Sequence, residues 1–396
     1  MNRVTGRELA LVAPMVRIGE PAGIAVTRLT STDDPEDAGD DDEVTLVAVD
    51  RSAGRVLSNL GLMKVGTWDG SDSDLGPLSS PSDVAIDRDG RVAITDTGNR
   101  RVVLLRHDGS SLRPVDQFPG FMEPRGVAAD GKGGFYVCDR RFQTVVHLDT
   151  KTGKRTTFGL EVAFELPIAV ATVGEGDRMA RGGRRVVVIV DQDGKRLRVF
   201  DPAGALRATR LASSLSAPDA RFDDVDVDYY GNILAVDRAG NRMHKFRDDL
   251  YPLDTFGTRD GDPGYRAPRG IAIHRRLGQV FLTEEAGGVY LWVGTDITGL
   301  AARSDGSGLA FSYLLTEESD VSARILDPQG KVAVTLMHES RQQAGPQRGS
   351  WDGSDGSGVR LQPGKYLLEV RARATYASRS SHEARRLQPF TLGPAR

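Results

Sequence analysis

The sequence predicts an all-β chain, a six-bladed β-propeller followed by a smaller β-sandwich. Three observations carry that prediction. A short apolar run ending in an acid recurs six times, an apolar hexapeptide recurs upstream of each acid, and the repetition stops near Gly294. A period of about 40 to 50 residues with four short strands per unit is the pattern of a propeller blade. The length of 396 residues exceeds what one compact domain usually holds, and the 46 glycines suit short strands joined by tight turns.

The recurring acids are Asp50, Asp96, Asp139, Asp191, Asp237 and Glu284, spaced 46, 43, 52, 46 and 47 residues apart. The hexapeptides upstream are PAGIAV from Pro21, PSDVAI from Pro81, PRGVAA from Pro124, PIAVAT from Pro167, FDDVDV from Phe222 and PRGIAI from Pro268. Five begin with proline, whose missing N–H costs nothing at the first residue of a strand. Each unit therefore reads strand, turn, strand, acid-marked turn, strand and a fourth strand. An acid repeated in every blade serves the blade, because a carboxylate at a strand end accepts hydrogen bonds from turn amides. Cys138 takes the place held elsewhere by Val49, Thr95, Val190, Val236 and Thr283, so it reads as a small core residue.

The stretches PSDVAIDRDGRVAITDTGNRRVVLL and FGTRDGDPGYRAPRGIAI resemble the NHL repeat family, and the resemblance extends over roughly residues 17–294. It implies a six-bladed propeller and leaves the activity open, because propellers of that family include enzymes, RNA binders and protein-interaction modules. A ring of blades must join its first and last members or leave open strand edges. The sixth unit supplies only three strands, so residues 8–18 are expected to complete it, giving a propeller over 1–295 and a second domain over 296–396.

Residues 309–336 alternate like strands around a turn at Pro328-Gln329-Gly330. Ile325-Leu326-Asp327, Gly330-Lys331-Val332, Trp351-Asp352-Gly353, Asp355, Gly358, Pro363-Gly364 and Tyr366 resemble the immunoglobulin-like domain of flagellar hook-capping proteins. That resemblance implies an immunoglobulin-like β-sandwich acting as an assembly or spacer element, with Trp351 buried and Asp352 and Asp355 bonding turn amides. Arg371 to Arg386 holds five arginines against Glu383 and reads as a solvated hairpin or a basic flap.

Composition narrows the function. A formal net charge of −3 selects neither nucleic acid nor an acidic membrane, and one cysteine excludes an intrachain disulfide. No apolar run reaches the roughly 18 residues of a membrane span. No secretory signal is legible. The chain is expected to act in the cytoplasm, to assemble into a cell-external structure, or to have lost a signal.

Histidines 107, 147 and 244 fall on or after third strands, away from the axis, and His274 reads as a turn position. The innermost strands hold Ala25, Ala85, Ala128, Ala171 and Ala272 at one shared position, where blade five has Asp226. Alternation puts Asp224 on the same side as Asp226, Asp83 is its counterpart in blade two, and Arg125 and Arg269 precede the matching glycines of blades three and six. These five residues are the expected binding rim of the channel mouth. No metal ligand set, catalytic residue or cofactor is assigned. WDGSDSD at 68–74 alternates oxygen side chains but lacks the downstream glutamate of a calcium loop.

Two long insertions of opposite charge lie in blades one and four. Residues 33–43, including Asp40, Asp41 and Asp42, hold eight acids, and residues 174–185 hold four arginines, among them Arg181, Arg184 and Arg185. They read as solvated loops or as a docking face. The function expected is a non-catalytic binding and assembly protein, a subunit of a bacterial extracellular or phage-tail-like structure. Its partners would be other protein subunits or further copies of itself, with no nucleic acid and no membrane insertion. A propeller lyase or lactonase with a metal near the channel mouth, and a polysaccharide-binding module, remain the alternatives.

Overall fold

The computed structural model describes residues 2–5, 17–31, 44–60, 64–174, 183, 185–215, 217, 219–257, 264–275, 278–285, 287–292, 294–305, 307–375 and 383–394. They form two compact units that divide between Trp292 and Val293. No helix among the described residues is long and apolar enough to cross a membrane.

The first unit contains six four-stranded antiparallel sheets. Blade one is β2 (Pro21–Arg28), β3 (Val44–Asp50), β4 (Arg55–Asn59) and β5 (Val65–Trp68). Blade two is β6 (Asp83–Ile86), β7 (Arg91–Asp96), β8 (Arg101–His107) and β9 (Leu112–Pro119). Blade three is β10 (Pro124–Ala129), β11 (Gly134–Asp139), β12 (Thr144–Asp149) and β13 (Arg155–Thr157). Blade four is β14 (Ala169–Val173), β15 (Val186–Asp191), β16 (Arg196–Phe200) and β17 (Leu206–Leu211). Blade five is β18 (Asp224–Val227), β19 (Ile233–Asp237), β20 (Arg242–Phe246) and β21 (Pro252–Phe256). Blade six is β22 (Ile271–His274), β23 (Gln279–Glu284) and β24 (Gly287–Trp292), with β1 (Asn2–Thr5) as its fourth strand. The innermost strands touch in sequence, and β22 returns to β2, so the ring is a closed six-bladed propeller.

Packing explains the apolar runs. A blade sandwiched between two others buries both faces, so its second strand shows no polar alternation. GFYVCD in β11 is buried along its whole length. Val47, Val49 and Val56 of blade one share a core with Ile94, Val103 and Leu105 of blade two. Each such side chain contributes about 1.5–3 kcal/mol when fully buried. Cys138 is buried in the core joining blades three and four, and burial pushes its thiol well up.

The closing strand differs from the expected one. Asn2 to Thr5 pair antiparallel with Tyr290 to Gly287. The sequence reading placed the closure at residues 8–18, of which 8–16 lie outside the described residues. The apolar run Leu9 to Val16 occupies the place of a fourth strand before Pro21, but the edge of β24 is met by backbone hydrogen bonds, which any short extended segment supplies. Deleting residues 1–5 is expected to destabilise the propeller by on the order of 2 kcal/mol, from net values of roughly 1 kcal/mol per backbone bond. An unchanged thermal melt of the truncated protein would show that the pairing contributes nothing.

The blade acids reach backwards as well as into the next turn. Asp50 accepts the amides of Gly19 and Glu20, both at 2.9 Å. Asp96 accepts Ser79 N–H at 2.7 Å, Asp139 accepts Met122 N–H at 2.7 Å, Asp191 accepts Glu165 N–H at 2.9 Å, and Glu284 accepts Arg266 N–H at 2.9 Å. Asp237 instead accepts the Gly240 amide of its own turn, at 2.9 Å. Most of these carboxylates therefore tie down the segment leading into their own blade's innermost strand.

The second unit is a β-sandwich. One sheet is β25 (Ile297–Ser304), β26 (Leu309–Leu315) and β29 (Gly345–Trp351). The other has the order β28 (Val332–Gln342), β27 (Ser319–Leu326), β30 (Gly364–Ala374) and β31 (Glu383–Leu392). Trp351 is buried, with its ring edge-on to Phe390 at 6.1 Å and its Nε1 donating to Ser354 O at 2.7 Å. Asp352 accepts Ser354 N–H, and Asp355 accepts the amides of Ser357 and Val359, each at 2.9 Å. The arginines of the last hairpin are laced to acids: Arg385 and Arg371 to the buried Glu369 at 2.6 and 3.1 Å, and Arg373 to Glu339 at 2.9 Å.

Candidate functional site

The channel of the first unit opens into a cavity of about 570 Å³. Ala25, Ala85, Ala128, Ala171 and Ala272 line it together with Asp226, as alternation along the innermost strands requires. Asp83 and Asp224 line it as well. Arg125 and Arg269 do not. Of the five residues expected at one rim, the three acids thus line the cavity and the two arginines do not.

Asp83 and Asp224 sit in equivalent places on opposite blades. Asp83 accepts Val127 N–H of blade three at 2.8 Å, and Asp224 accepts Ile271 N–H of blade six at 2.9 Å. Each carboxylate therefore staples its blade to the next. The space for this comes from the neighbours. A Cβ on Gly23 would lie 2.0 Å from Asp83 Oδ1, so blade one must carry glycine there. Asp226 repeats the staple one step along, accepting Ile273 N–H at 2.7 Å.

Burial is the main force on these acids. It pushes Asp83 up to about 7, with the charge of Asp226 adding to the rise while amide bonds and Arg125 oppose it. It drives Asp224 well above the ordinary carboxylate range, with the Asp83 charge reinforcing the shift. Arg275 partly offsets this charge: it lies 3.2 Å from Asp226 and donates to the carbonyls of Val227 and Thr172 at 2.7 and 2.8 Å, spanning from blade six to blade four.

The sequence reading missed Arg275 and misplaced His274, which lines the cavity at the end of β22. The signal was present, since His274 stands two residues beyond the channel-facing Ala272. Off the axis, His147 Nε2 lies 2.7 Å from Asp130 Oδ2 beside a second cavity of about 610 Å³ between blades three and four. His107 is buried, and its Nδ1 accepts Gly109 N–H at 2.9 Å, so Nε2 carries the proton toward Ser58 Oγ, also at 2.9 Å. Burial lowers its pKa and keeps the ring neutral. Asp40, Asp41, Asp42, Arg181 and Arg184 lie outside the described residues. Arg185 is exposed just before β15 and borders the second cavity.

Asp83, Asp224 and Asp226 are the residues a cation would meet. Among the described residues, no three His, Cys, Asp or Glu side chains are arranged to hold a metal ion. Asp69, first acid of the WDGSDSD loop, spends an oxygen on Ser71 N–H at 2.9 Å and Ser71 Oγ at 2.6 Å.

Residues 78–103 match the NHL repeat and residues 295–375 match the FlgD Ig-like domain. The first unit is an NHL-type propeller and the second carries a FlgD Ig-like domain. No curated protein matches the chain. Solved structures similar to the chain include virginiamycin B lyase from Staphylococcus aureus, at 12% identity and TM-score 0.46, covering 75% of this chain and 94% of that one. A gluconolactonase from Xanthomonas campestris is similar at 17% identity and TM-score 0.48, covering 73% and 93%. A luciferin-regenerating enzyme is similar at 13% identity and TM-score 0.48, covering 91% and 99%. The NHL-type propeller is compatible with protein interaction and with propeller enzymology.

Proposed function

We propose that this chain is a non-catalytic binding and assembly protein, a subunit of a larger bacterial extracellular or phage-tail-like structure, whose propeller faces take protein partners. One observation carries the reading. Each acid that a metal-dependent propeller enzyme would draw on here holds an amide of the neighbouring blade: Asp83 with Val127, Asp224 with Ile271 and Asp226 with Ile273. A carboxylate recruited to a metal or a substrate would share oxygens already committed to these inter-blade bonds. The FlgD Ig-like domain that follows the propeller in the sequence agrees with a role in assembly. The acid-rich residues 33–43 and the arginine-rich residues 174–185 fit partner steering, an effect read in association rate and salt sensitivity rather than in monomer stability.

The test combines crosslinking in the native host with native mass spectrometry of the complex recovered through the intact chain. A complex of fixed stoichiometry is expected, and its association rate is expected to fall when the acids of 33–43 become serine and glycine. A lone monomer that opens lactones or cyclic ester peptides, with activity lost on chelation, would overturn the reading in favour of a metal-dependent enzyme. Selective binding on a glycan array without a protein partner would overturn it in favour of polysaccharide recognition.

A further inference from the structure

The cavity of about 610 Å³ between blades three and four is shaped by departures from the repeat. In blades two and five the turn after the innermost strand opens on an aspartate whose second oxygen is taken up four residues on, Asp87 by Arg91 at 2.8 Å and Asp228 by Asn232 at 2.9 Å. Blade three has Gly134 at that place. Asp130 still accepts the Gly134 and Lys132 amides on Oδ1, at 2.9 and 2.6 Å, but its Oδ2 accepts from His147 Nε2 at 2.7 Å. A Cβ on Gly134 would lie 2.6 Å from that oxygen and 2.7 Å from Nε2, so the pair depends on the glycine. Blade five puts Lys245 at the place of His147, completely buried 3.8 Å from Asp228, whereas the His147 side chain is 33% exposed.

His147 belongs to a cross-strand row. Tyr136 of β11 pairs with His147 of β12, which pairs with Thr156 of β13. Tyr136 packs into the core shared with blade four, so the row turns toward that blade. The same register holds Ala93, Leu104 and Asp116 in blade two and Val188, Val199 and Ala208 in blade four. The Tyr136 ring lies 5.1 Å from His147 and edge-on to Phe158 at 5.0 Å, and Val187 of blade four lines the cavity with them. Tyr136 is only 9% exposed, yet among the described residues its hydroxyl makes no hydrogen bond. Because Nε2–H donates to Asp130, Nδ1 is the acceptor of the neutral His147 ring, and it too makes no hydrogen bond among the described residues. Lys132 and Arg185 bring two positive charges to the cavity, against Glu161 and the Asp130 already paired with His147.

A buried hydroxyl without a partner is costly unless a ligand supplies one. An aromatic wall with a few placed polar groups, in a volume of several hundred cubic ångströms, is the pattern of a small-molecule site. We propose that this cavity binds a phenolic carboxylate. Its ring packs against Tyr136 and Phe158, its hydroxyl accepts from Tyr136 and donates to His147 Nδ1, and its carboxylate faces Lys132 and Arg185. The site lies off the central channel and is independent of the assembly reading.

The test uses the full chain and 4-hydroxybenzoate, followed by isothermal titration at constant ionic strength. Saturable one-to-one binding is expected. Tyr136→Phe should weaken it by about tenfold, the scale of losing one hydrogen bond to a buried group. Because that hydroxyl bonds nothing in the protein, the variant should melt like the parent without ligand. His147→Leu, which copies Leu104 of blade two, should weaken binding at least as much, and should it melt early, Tyr136→Phe still decides the matter. Benzoate and 4-hydroxybenzyl alcohol, each lacking one of the two polar groups, should both bind more weakly than 4-hydroxybenzoate. No saturable binding by the parent, unchanged binding by Tyr136→Phe, or either lesser probe binding as tightly would overturn the proposal.

Discussion

Asp83→Asn is expected to gain stability relative to the parent as the pH rises from about 4 to about 8. The folded-state value of Asp83 is about 7, against an ordinary value of 3.8. Between those values the folded protein holds a proton that the unfolded chain has released. Stability therefore falls as pH rises from about 4 to about 7 and is level above that. The full span corresponds to on the order of 4 kcal/mol, at about 1.4 kcal/mol per pH unit. Asparagine retains an oxygen to accept Val127 N–H, so the inter-blade bond survives while the buried charge does not, and the Val84 amide loses its acceptor at every pH. Removing that charge also relieves Asp224, whose pKa the Asp83 charge raises. Urea titrations of parent and variant across this pH range read the difference directly. Parallel profiles at every pH would mean that Asp83 titrates normally and that burial is not what governs it.

Trp351→Ala is expected to cost about 3–5 kcal/mol in the second unit, the usual scale for truncating a buried aromatic side chain. The indole fills the end of the sandwich against Phe390, and its N–H holds Ser354 O at 2.7 Å, fixing the turn in which Asp352 and Asp355 bond backbone amides. Trp351→Phe should fall between the two, keeping ring packing and losing the hydrogen bond, worth about 1 kcal/mol. Denaturant unfolding followed by tryptophan-independent circular dichroism separates the three proteins. A loss below about 1 kcal/mol for the alanine variant would show that the turn does not depend on the indole.

The sequence by itself determined the blade count, the repeated strand order and the side of the innermost strands that Asp83, Asp224 and Asp226 take. Periodicity is a local property. Alternation in PSDVAI and FDDVDV fixes which side Asp83, Asp224 and Asp226 take, and the small residues at matching positions in blades one, three, four and six mark where the strands converge. Alternation also pointed to His274, two residues past Ala272, once the turn assignment was set aside. Trp351 and its turn were legible through their resemblance to the FlgD Ig-like domain, and their hydrogen bonds run within a few residues.

Only the tertiary structure decided the partners. Asp83 takes an amide 44 residues away, and Arg275 reaches a carbonyl 103 residues away. The last blade is completed by Asn2 to Thr5, and of the five residues expected at one rim Asp83, Asp224 and Asp226 line the cavity while Arg125 and Arg269 do not. These contacts follow from ring closure, which sets neighbours by blade angle and by strand end. No local pattern encodes that angle, so the sequence displays the chemistry of each position, and closure of the ring determines which positions meet.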